Sequence, residues 1–386
     1  RMAALPPPPP DTFGPYLNDL ESPGALLSAA ASVARHIGSH REVILMATGP
    51  DMTSVEMTNN SLVSLARLGL RPHVLLLADS LETCEQRLFA SPCFWSSRML
   101  RAQPSDSLLN RQFWKGWRFP FYYIKKKYIA DLVAGGFAVL QVDTDTVWDH
   151  DPFLMLREMR GSSIVAMKDT ALANAGIVYA RPGSREAHLV LQETAWRVQL
   201  MQNWPDVVPR IVRFAQKPPF YANSDDQTLL NDAIISAVVR NRTFLGSTAR
   251  YEAKNRYNPG GPDWGSLPES KEERSQHRKL YHRMRHSSVR VPWEEGGEKL
   301  TRYSLFPISE NDSIALAPRT LFAHLPYAPQ SAITHLTAAR GFNAKVQVLR
   351  RIGAWNPKGK QSGLPAERGY MPAATNVLKA GGGRGG

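Results

Sequence analysis

Short apolar runs with strand character alternate with helical stripes through the first half of the chain. The runs lie at Val43–Ala47, Val74–Ala78, Phe137–Val142, Ile164–Met167 and Ile177–Ala180, and Val, Ile, Leu and Ala in blocks this short fit buried strands. Between the first two, Ser54–Leu68 repeats its apolar side chains at helical spacing, and the glycine of Leu68-Gly69-Leu70 stops it. A second helix is predicted over Tyr122–Ala134, where Ile124, Tyr128, Ile129, Leu132 and Val133 form one stripe and Gly135-Gly136 ends it just before the third run. Strand, helix and strand in alternation predict an α/β fold: a mostly parallel, Rossmann-like sheet flanked by helices. No internal repeat is visible.

Composition adds boundaries. Residues 1–21 contain five consecutive prolines, Pro6 to Pro10, which make a stiff extended stem or linker. A single globular domain is expected over 22–352. Within it, residues 251–302 turn to Gly, Pro and charge, as in Lys271-Glu272-Glu273-Arg274 and His282-Arg283-Met284-Arg285-His286, and read as a long basic insertion, partly helical and solvated. Residues 353–386 end in a Gly-rich tract and read as a low-complexity, disordered tail.

A chain of 386 residues with 43% hydrophobic content can bury a large core, which excludes a disordered or fibrous class. Lys+Arg number 47 against 34 Asp+Glu, a net charge of +13, so anionic partners are favoured: nucleic acid, acidic lipid or phosphate-bearing small molecules. The insertion carries no nucleic-acid-reading motif and few interleaved aromatics, so nucleic acid is not an expected partner. Cys84 and Cys93 can close a small loop in an oxidising lumen or remain two reduced thiols. No apolar run reaches 18 residues, so a membrane association is expected only through an anchor absent from this chain. Sequons at Asn59, Asn241 and Asn311 are compatible with a lumenal location.

The chemistry concentrates where the third run ends. Phe137–Val142 delivers the chain into Asp143-Thr144-Asp145-Thr146-Val147-Trp148-Asp149-His150-Asp151-Pro152, four carboxylates in nine residues. Ligands of open α/β sheets sit at the carboxyl ends of strands, and side chains at i and i+2 share a face, so Asp143 and Asp145 converge there. Two convergent carboxylates call for a hard divalent cation, Mn²⁺ or Mg²⁺, whose other ligands come from phosphate and water. Asp151-Pro152 instead starts the next helix as cap and first residue. The same Asp-x-Asp after an apolar strand also opens haloacid-dehalogenase-type phosphohydrolases, with Asp143 as nucleophile. That alternative lacks a later strand ending in acidic ligands, since Asp225-Asp226 follow Pro218-Pro219-Phe220-Tyr221-Ala222-Asn223-Ser224. An inactive nucleotide-sugar binder is a third reading. Thr48 and Asp79, at the ends of the first two runs, should bound a nucleotide pocket, although each also suits a helix cap. Ser224 and Gln227 have capping-box spacing.

Gly136–Pro152 resembles the signature of the nucleotide-diphospho-sugar transferases of glycosyltransferase family 77. Asn174-Ala175-Gly176-Ile177-Val178-Tyr179-Ala180-Arg181 and Asp225-Asp226-Gln227-Thr228-Leu229-Leu230-Asn231 resemble further segments of that family in the same order, over roughly Val43 to His324. The resemblance implies a GT-A fold, a UDP-sugar donor, a metal ion and retention of anomeric configuration. It also implies a glycan or hydroxyproline-rich glycoprotein acceptor, and a Golgi lumenal, type II anchored setting. Asp143 and Asp145 take the metal role, with His324 as a third ligand or else a buried structural histidine. Lys125 aligns with a diphosphate-neutralising lysine, whereas Lys127 and Asp131 read as a surface pair and at least two of Lys125, Lys126 and Lys127 as a solvated face. Asn174 and Gly176 fall in the donor-binding segment. Asp226 and Gln227 are placed at the sugar ring, with Asp225 as the other candidate for the chemistry.

Overall fold

The computed structural model describes residues 15–49, 51–86, 89, 91–100, 119–169, 172–203, 226–240, 272, 288–293, 299–309, 312–339 and 341–357. Pro6–Pro10, Asn241, Asn311, Ser224, Asp225, most of 251–302 and the tail after residue 357 lie outside them.

The chain opens with β1 (Pro15–Asp19), α1 (Ala25–Val33), β2 (Arg35–Ile37), β3 (His40–Ala47) and α2 (Met52–Arg67). There follow β4 (Val74–Ala78), α3 (Leu81–Gln86), β5 (Cys93–Trp95), α4 (Ser97–Leu100), α5 (Phe119–Ala134), β6 (Ala138–Val142) and β7 (Thr146–Trp148). The middle comprises α6 (Phe153–Glu158), β8 (Ser162–Asp169), β9 (Leu172–Ala180), α7 (Arg185–Asn203) and α8 (Asp226–Val239). Strands β10 (Ser288–Trp293), β11 (Lys299–Pro307), β12 (Ser313–Leu316), β13 (Phe322–His324) and β14 (Ile333–His335) lead to α9 (Phe342–Arg351).

The two glycine stops behave as the sequence predicts. Gly69 and Gly136 adopt φ of 69° and 81°, and in each the next residue reaches back over the helix end: Leu70 N–H donates to Leu65 O (3.0 Å) and Phe137 N–H to Leu132 O (2.9 Å). The chain is thereby turned directly into β4 and β6.

The main sheet runs β1-β5-β4-β3-β6-β9-β8-β12-β11-β10, with β2 on β3. Strands β1, β5, β4, β3 and β6 are parallel neighbours, as the alternating pattern predicts. Beyond β6 the sheet changes character: β9 is antiparallel to both β6 and β8, and β10, β11 and β12 are joined antiparallel. The sheet is thus parallel in its first half and mixed beyond it, β8 and β9 pairing antiparallel with only two residues between them. Within the expected insertion, β10 and the start of β11 pair antiparallel at the sheet edge.

Alternate residues of the central strands bury to opposite faces, which makes three layers. Val43, Leu45, Leu75 and Leu77 pack with α1, α5, α7 and α8. Ile44, Met46, Leu76 and Leu140 pack with α2 and α6. A small second sheet, β13-β14-β7, lies beside the main one, and α9 docks on it through Val346 and Leu349 against Val147, Leu336 and Met57. Cys84 and Cys93 form a disulfide that fastens α3 to β5. Among the described residues no helix is long and apolar enough to cross a membrane. Asn59 sits mid-way along α2, with Ser61 of its sequon fully buried.

The amino end of β3 is fixed by charge. Glu42, 2% exposed, accepts from Arg35 (2.7 and 2.9 Å) and from Arg157 (2.7 and 2.9 Å), and Arg35 also donates to Asp151 (2.7 Å). Removing one member of a buried ion group strands the others. Glu42→Ala should therefore destabilise the fold by about 3 kcal/mol in urea denaturation, whereas Lys127→Ala, which removes a half-exposed i,i+4 pair with Asp131, should cost under about 0.5 kcal/mol.

Candidate active site

Strand order places β3 between β4 and β6, so the chain builds outward from β3 to β4 and β5 and then returns to add β6 on the other side. The carboxyl ends of β3 and β6 flank that switch point, where open α/β sheets hold ligands. Thr48 follows β3 and Asp143 follows β6.

A bulge shapes this end of the sheet. Ala166 of β8 pairs with Val178 of β9, but the next residue, Met167, pairs with Asn174, which leaves Ala175, Gly176 and Ile177 out of the β8 ladder. Their backbone groups find other partners. Gly176 O accepts from Asp143 N–H (2.7 Å) and from the Gln141 amide (3.2 Å), Ala175 O accepts from Lys126 Nζ (2.9 Å), and Gly176 N–H donates to Asn174 Oδ1 (2.8 Å). Lys126 also donates to Gln141 Oε1 (2.6 Å) and is fully buried. The bulge thus carries Gly176 against Asp143.

The second carboxylate is held from the other side. Between Asp143 and β7, Thr146 Oγ1 donates to Asp143 O (3.0 Å) and lies 3.0 Å from Ser61 Oγ of α2. Strand β14 pairs antiparallel with β7, opposing His335 to Thr146, and Leu336 N–H donates to Asp145 O (3.0 Å). His335 Nε2 accordingly lies 3.1 Å from Asp145 Oδ1 and 3.9 Å from Asp143 Oδ2. Ligand atoms of Asp143, Asp145 and His335 all fall within 4.8 Å of one another.

The structure brings His335, and not His324, to the aspartate pair. The two histidines are register partners on the parallel strands β13 and β14, but only β14 touches β7. His324 Nδ1 instead lies 2.9 Å from Leu325 O. Two short apolar runs each ending in His look alike in sequence, and which one pairs with β7 is a tertiary fact.

Cations crowd these carboxylates. Lys125 Nζ stands 2.8 Å from Asp143 Oδ1 and 3.6 Å from Asp226 Oδ2. Burial alone would depress its pKa, but Asp143 and Asp226 outweigh it and hold the ammonium above its ordinary range. Lys345 of α9 lies 2.7 Å from Asp145 Oδ2. Burial would raise the Asp145 pKa, yet His335 and Lys345 hold it far below the usual carboxylate range. For His335, burial pulls the pKa down while Asp145, then Asp143, raise it above normal. Lys125 and Lys126 are both buried and only Lys127 reaches solvent, so the solvated-face expectation fails for two of the three.

At the start of α8, the Gln227 amide accepts from Asn174 Nδ2 (3.0 Å) and donates to Asp169 Oδ2 (3.0 Å), so it bridges β9 and β8; the capping box with Ser224 lies outside the described residues. Asn231, one turn on, accepts from Ala173 N–H (3.0 Å) and donates to Ala173 O (2.8 Å). Asp225 lies outside the described residues. Asp51 caps α2 through Ser54 N–H (2.9 Å) and Thr48 accepts from Thr58 Oγ1 (2.8 Å), so both are engaged in structure. Nothing in the sequence marks His335 and Lys345 as site residues, because both lie in a stretch with no acidic motif.

Two carboxylates and an imidazole suit a divalent metal ion, and the geometry fits such an ion on an observation independent of the motif. A Cβ on Gly176 would meet His335 Cε1 at 2.3 Å, Asp143 Oδ2 at 2.7 Å and Asn174 Oδ1 at 2.9 Å. Only glycine leaves these groups free to close on one point. Among the described residues, His335 Nδ1 is buried with no hydrogen-bond partner.

No protein-family model matches the chain, and no curated protein matches it. Among solved structures it is similar to mouse xyloside xylosyltransferase 1 in its apo form, with 10% identity, a TM-score of 0.29 and coverage of 59% of this chain and 95% of that one. It is also similar to galactosyltransferase LgtC in complex with donor and acceptor sugar analogs (11% identity, TM-score 0.29, 43% of this chain and 66% of that one). A third likeness is to the PaToxG glycosyltransferase (11% identity, TM-score 0.29, 66% and 89%). At these TM-scores the function has to be read from the site itself.

Two outcomes follow from this geometry. Gly176→Ala should fold but lose Mn²⁺ affinity on the order of tenfold or more in an electron-paramagnetic-resonance titration, because the added methyl must displace a ligand; unchanged affinity would place the ion elsewhere. Burial lowers the Lys126 pKa to about 8. Between that value and the ordinary ammonium range the unfolded chain holds the proton and the folded chain does not, so stability contributed here rises with pH. Wild type should gain on Lys126→Met by up to about 1.4 kcal/mol per pH unit from pH 8 to 10, read by denaturation at each pH.

Proposed function

We propose that this protein is a metal-dependent, retaining glycosyltransferase that moves a sugar from a UDP-sugar to a hydroxyl of a glycan or glycoprotein. The observation that carries the proposal is the convergence of Asp143, Asp145 and His335 on the glycine cradle at the switch point of the sheet. Lysines stand beside those acids, which is the charge pattern a diphosphate needs. Membership of family 77 is part of the proposal, supported by the motif from Gly136 to Pro152 and the ordered segments after it.

A bound divalent ion would neutralise the diphosphate as it leaves. The protein's own groups do the rest. Lys125 spans Asp143 and Asp226 and so sets the metal loop and the start of α8 in one frame. Gln227, fixed by Asn174 and Asp169, presents its amide beside that frame. In front-face transfer the bond from the anomeric carbon to the diphosphate oxygen breaks, a bond to the acceptor oxygen forms on the same face, and the hydroxyl proton passes to the departing phosphate. Asp226, held beside Lys125, steadies positive charge as it develops on the sugar.

A lumenal, Golgi location with a type II anchor is also proposed. The Cys84–Cys93 disulfide supports an oxidising compartment. Wall polysaccharide or hydroxyproline-rich acceptors rest on the motif resemblance alone.

Asp145→Asn should abolish acceptor-dependent UDP release, by at least about 10²-fold in kcat, and should also lower the melting temperature, because it leaves His335 and Lys345 without their buried carboxylate. Phosphate release that needs no acceptor would instead mark a phosphohydrolase on the same aspartates. Full activity in excess chelator would mean that no metal takes part.

A further inference from the structure

Hydrogen bonds in series run from the glycine cradle to the last residue of β8. Gly176 N–H donates to Asn174 Oδ1 (2.8 Å), Asn174 Nδ2 donates to Gln227 Oε1 (3.0 Å) and Gln227 Nε2 donates to Asp169 Oδ2 (3.0 Å). The first group is a backbone N–H, which only donates, and the last is a carboxylate, which only accepts. Each amide between them carries both functions and could by itself face either way. With the two ends fixed, the series has one arrangement in which every link is made. Asp169 is the charged end, so its link is the stronger hold on that direction.

What the direction controls is the oxygen of Asn174. A Cβ on Gly176 would lie 2.9 Å from Asn174 Oδ1, beside Asp143 Oδ2 at 2.7 Å and His335 Cε1 at 2.3 Å, so this oxygen faces the same point as the candidate ligands. Turned round, Asn174 would set its NH₂ there, a donor against a site suited to a cation, and would leave Gly176 N–H opposite another donor. The same bond fixes the Gly176 peptide, whose O accepts from Asp143 N–H (2.7 Å). Asn174 is buried, so water is not at hand to replace a lost partner.

The ordinary task for Asp169 would be to fasten α8 to the sheet, and that is done by another residue. Asn231 accepts from Ala173 N–H (3.0 Å) and donates to Ala173 O (2.8 Å) and Gln227 O (2.7 Å). Resting on the metal-dependent reading above, we infer that Asp169 is a positioning residue of this site. Its carboxylate, acting through the amides of Gln227 and Asn174, keeps the Asn174 oxygen and the Gly176 peptide turned to the cation.

Two measurements on the full chain test this: the amide resonance of Gly176 under glycine-selective labelling, identified by its loss in Gly176→Ala, and Mn²⁺ affinity by electron paramagnetic resonance. Asp169→Asn keeps an acceptor of the same size and should leave the resonance in place and Mn²⁺ affinity within about threefold of wild type. Asp169→Ala, which removes the acceptor, should move the resonance upfield and speed its exchange on the order of tenfold. Asp169→Lys puts a donor at both ends of the series and should add a loss of Mn²⁺ affinity on the order of tenfold. Adding Gln227→Glu to Asp169→Lys lets residue 227 accept from both neighbours and should return the Gly176 resonance toward its wild-type position. A residue that merely packs would show no such rescue. The inference is overturned if Asp169→Ala and Asp169→Lys leave the Gly176 resonance and Mn²⁺ affinity unchanged, or if the double variant is no better than Asp169→Lys alone. If wild type binds no Mn²⁺, the functional reading fails, and the Gly176 resonance still decides whether Asp169 directs the amides.

Discussion

The bulge in β9 is the constraint on which the site depends. Three residues, Ala175 to Ile177, leave the β8 ladder in a part of the protein that water does not reach, so their carbonyls must be met by other donors. Lys126 and Gln141 meet them, and that is a reason to bury a lysine completely. In return the bulge brings a glycine against Asp143, with no side chain between the aspartate and His335. Any residue with a Cβ at that position would keep the ligands apart.

The second constraint is charge. Asp143 and Asp145 cannot remain ionised together in a buried loop without positive neighbours. Those neighbours come from three separate parts of the chain: Lys125 from α5, His335 from β14 and Lys345 from α9. The C-terminal elements are thus part of the site and not an appendage. Their docking rests on the small sheet with β7 and on the apolar contacts of Val346 and Leu349, which serve the site by holding His335 and Lys345 in place.

The parallel half of the fold was legible because local signals agreed: apolar runs of strand length, helices with one apolar stripe, and glycines where a positive φ ends a helix. Asp143 and Asp145 were legible for the same reason, since a buried strand followed by alternating acids has few other uses. The antiparallel half was harder to see. Strand β9 reads as one more apolar run, and nothing local says whether it pairs to the left or right, up or down. His335 was beyond reach because its partnership is made by β14 lying on β7, a contact between residues almost two hundred positions apart in the chain. The lysine run shows the limit of composition. Three adjacent lysines suggest solvent, yet on a helix they face different directions, and two of them point into the protein toward carboxylates and carbonyls.

Asn231 grips Ala173 by both its N–H and its C=O, as a neighbouring strand would, and Gln227 on the same helix grips Asn174. The start of α8 is in this way registered directly onto β9, side chain to backbone. The spacing between Asn174 and Gln227 is consequently set by these four residues and not by the chain that joins them. The width of this side of the site is therefore a property of the contact between α8 and β9 itself, carried by side-chain amides in the way a strand ladder carries the spacing of a sheet.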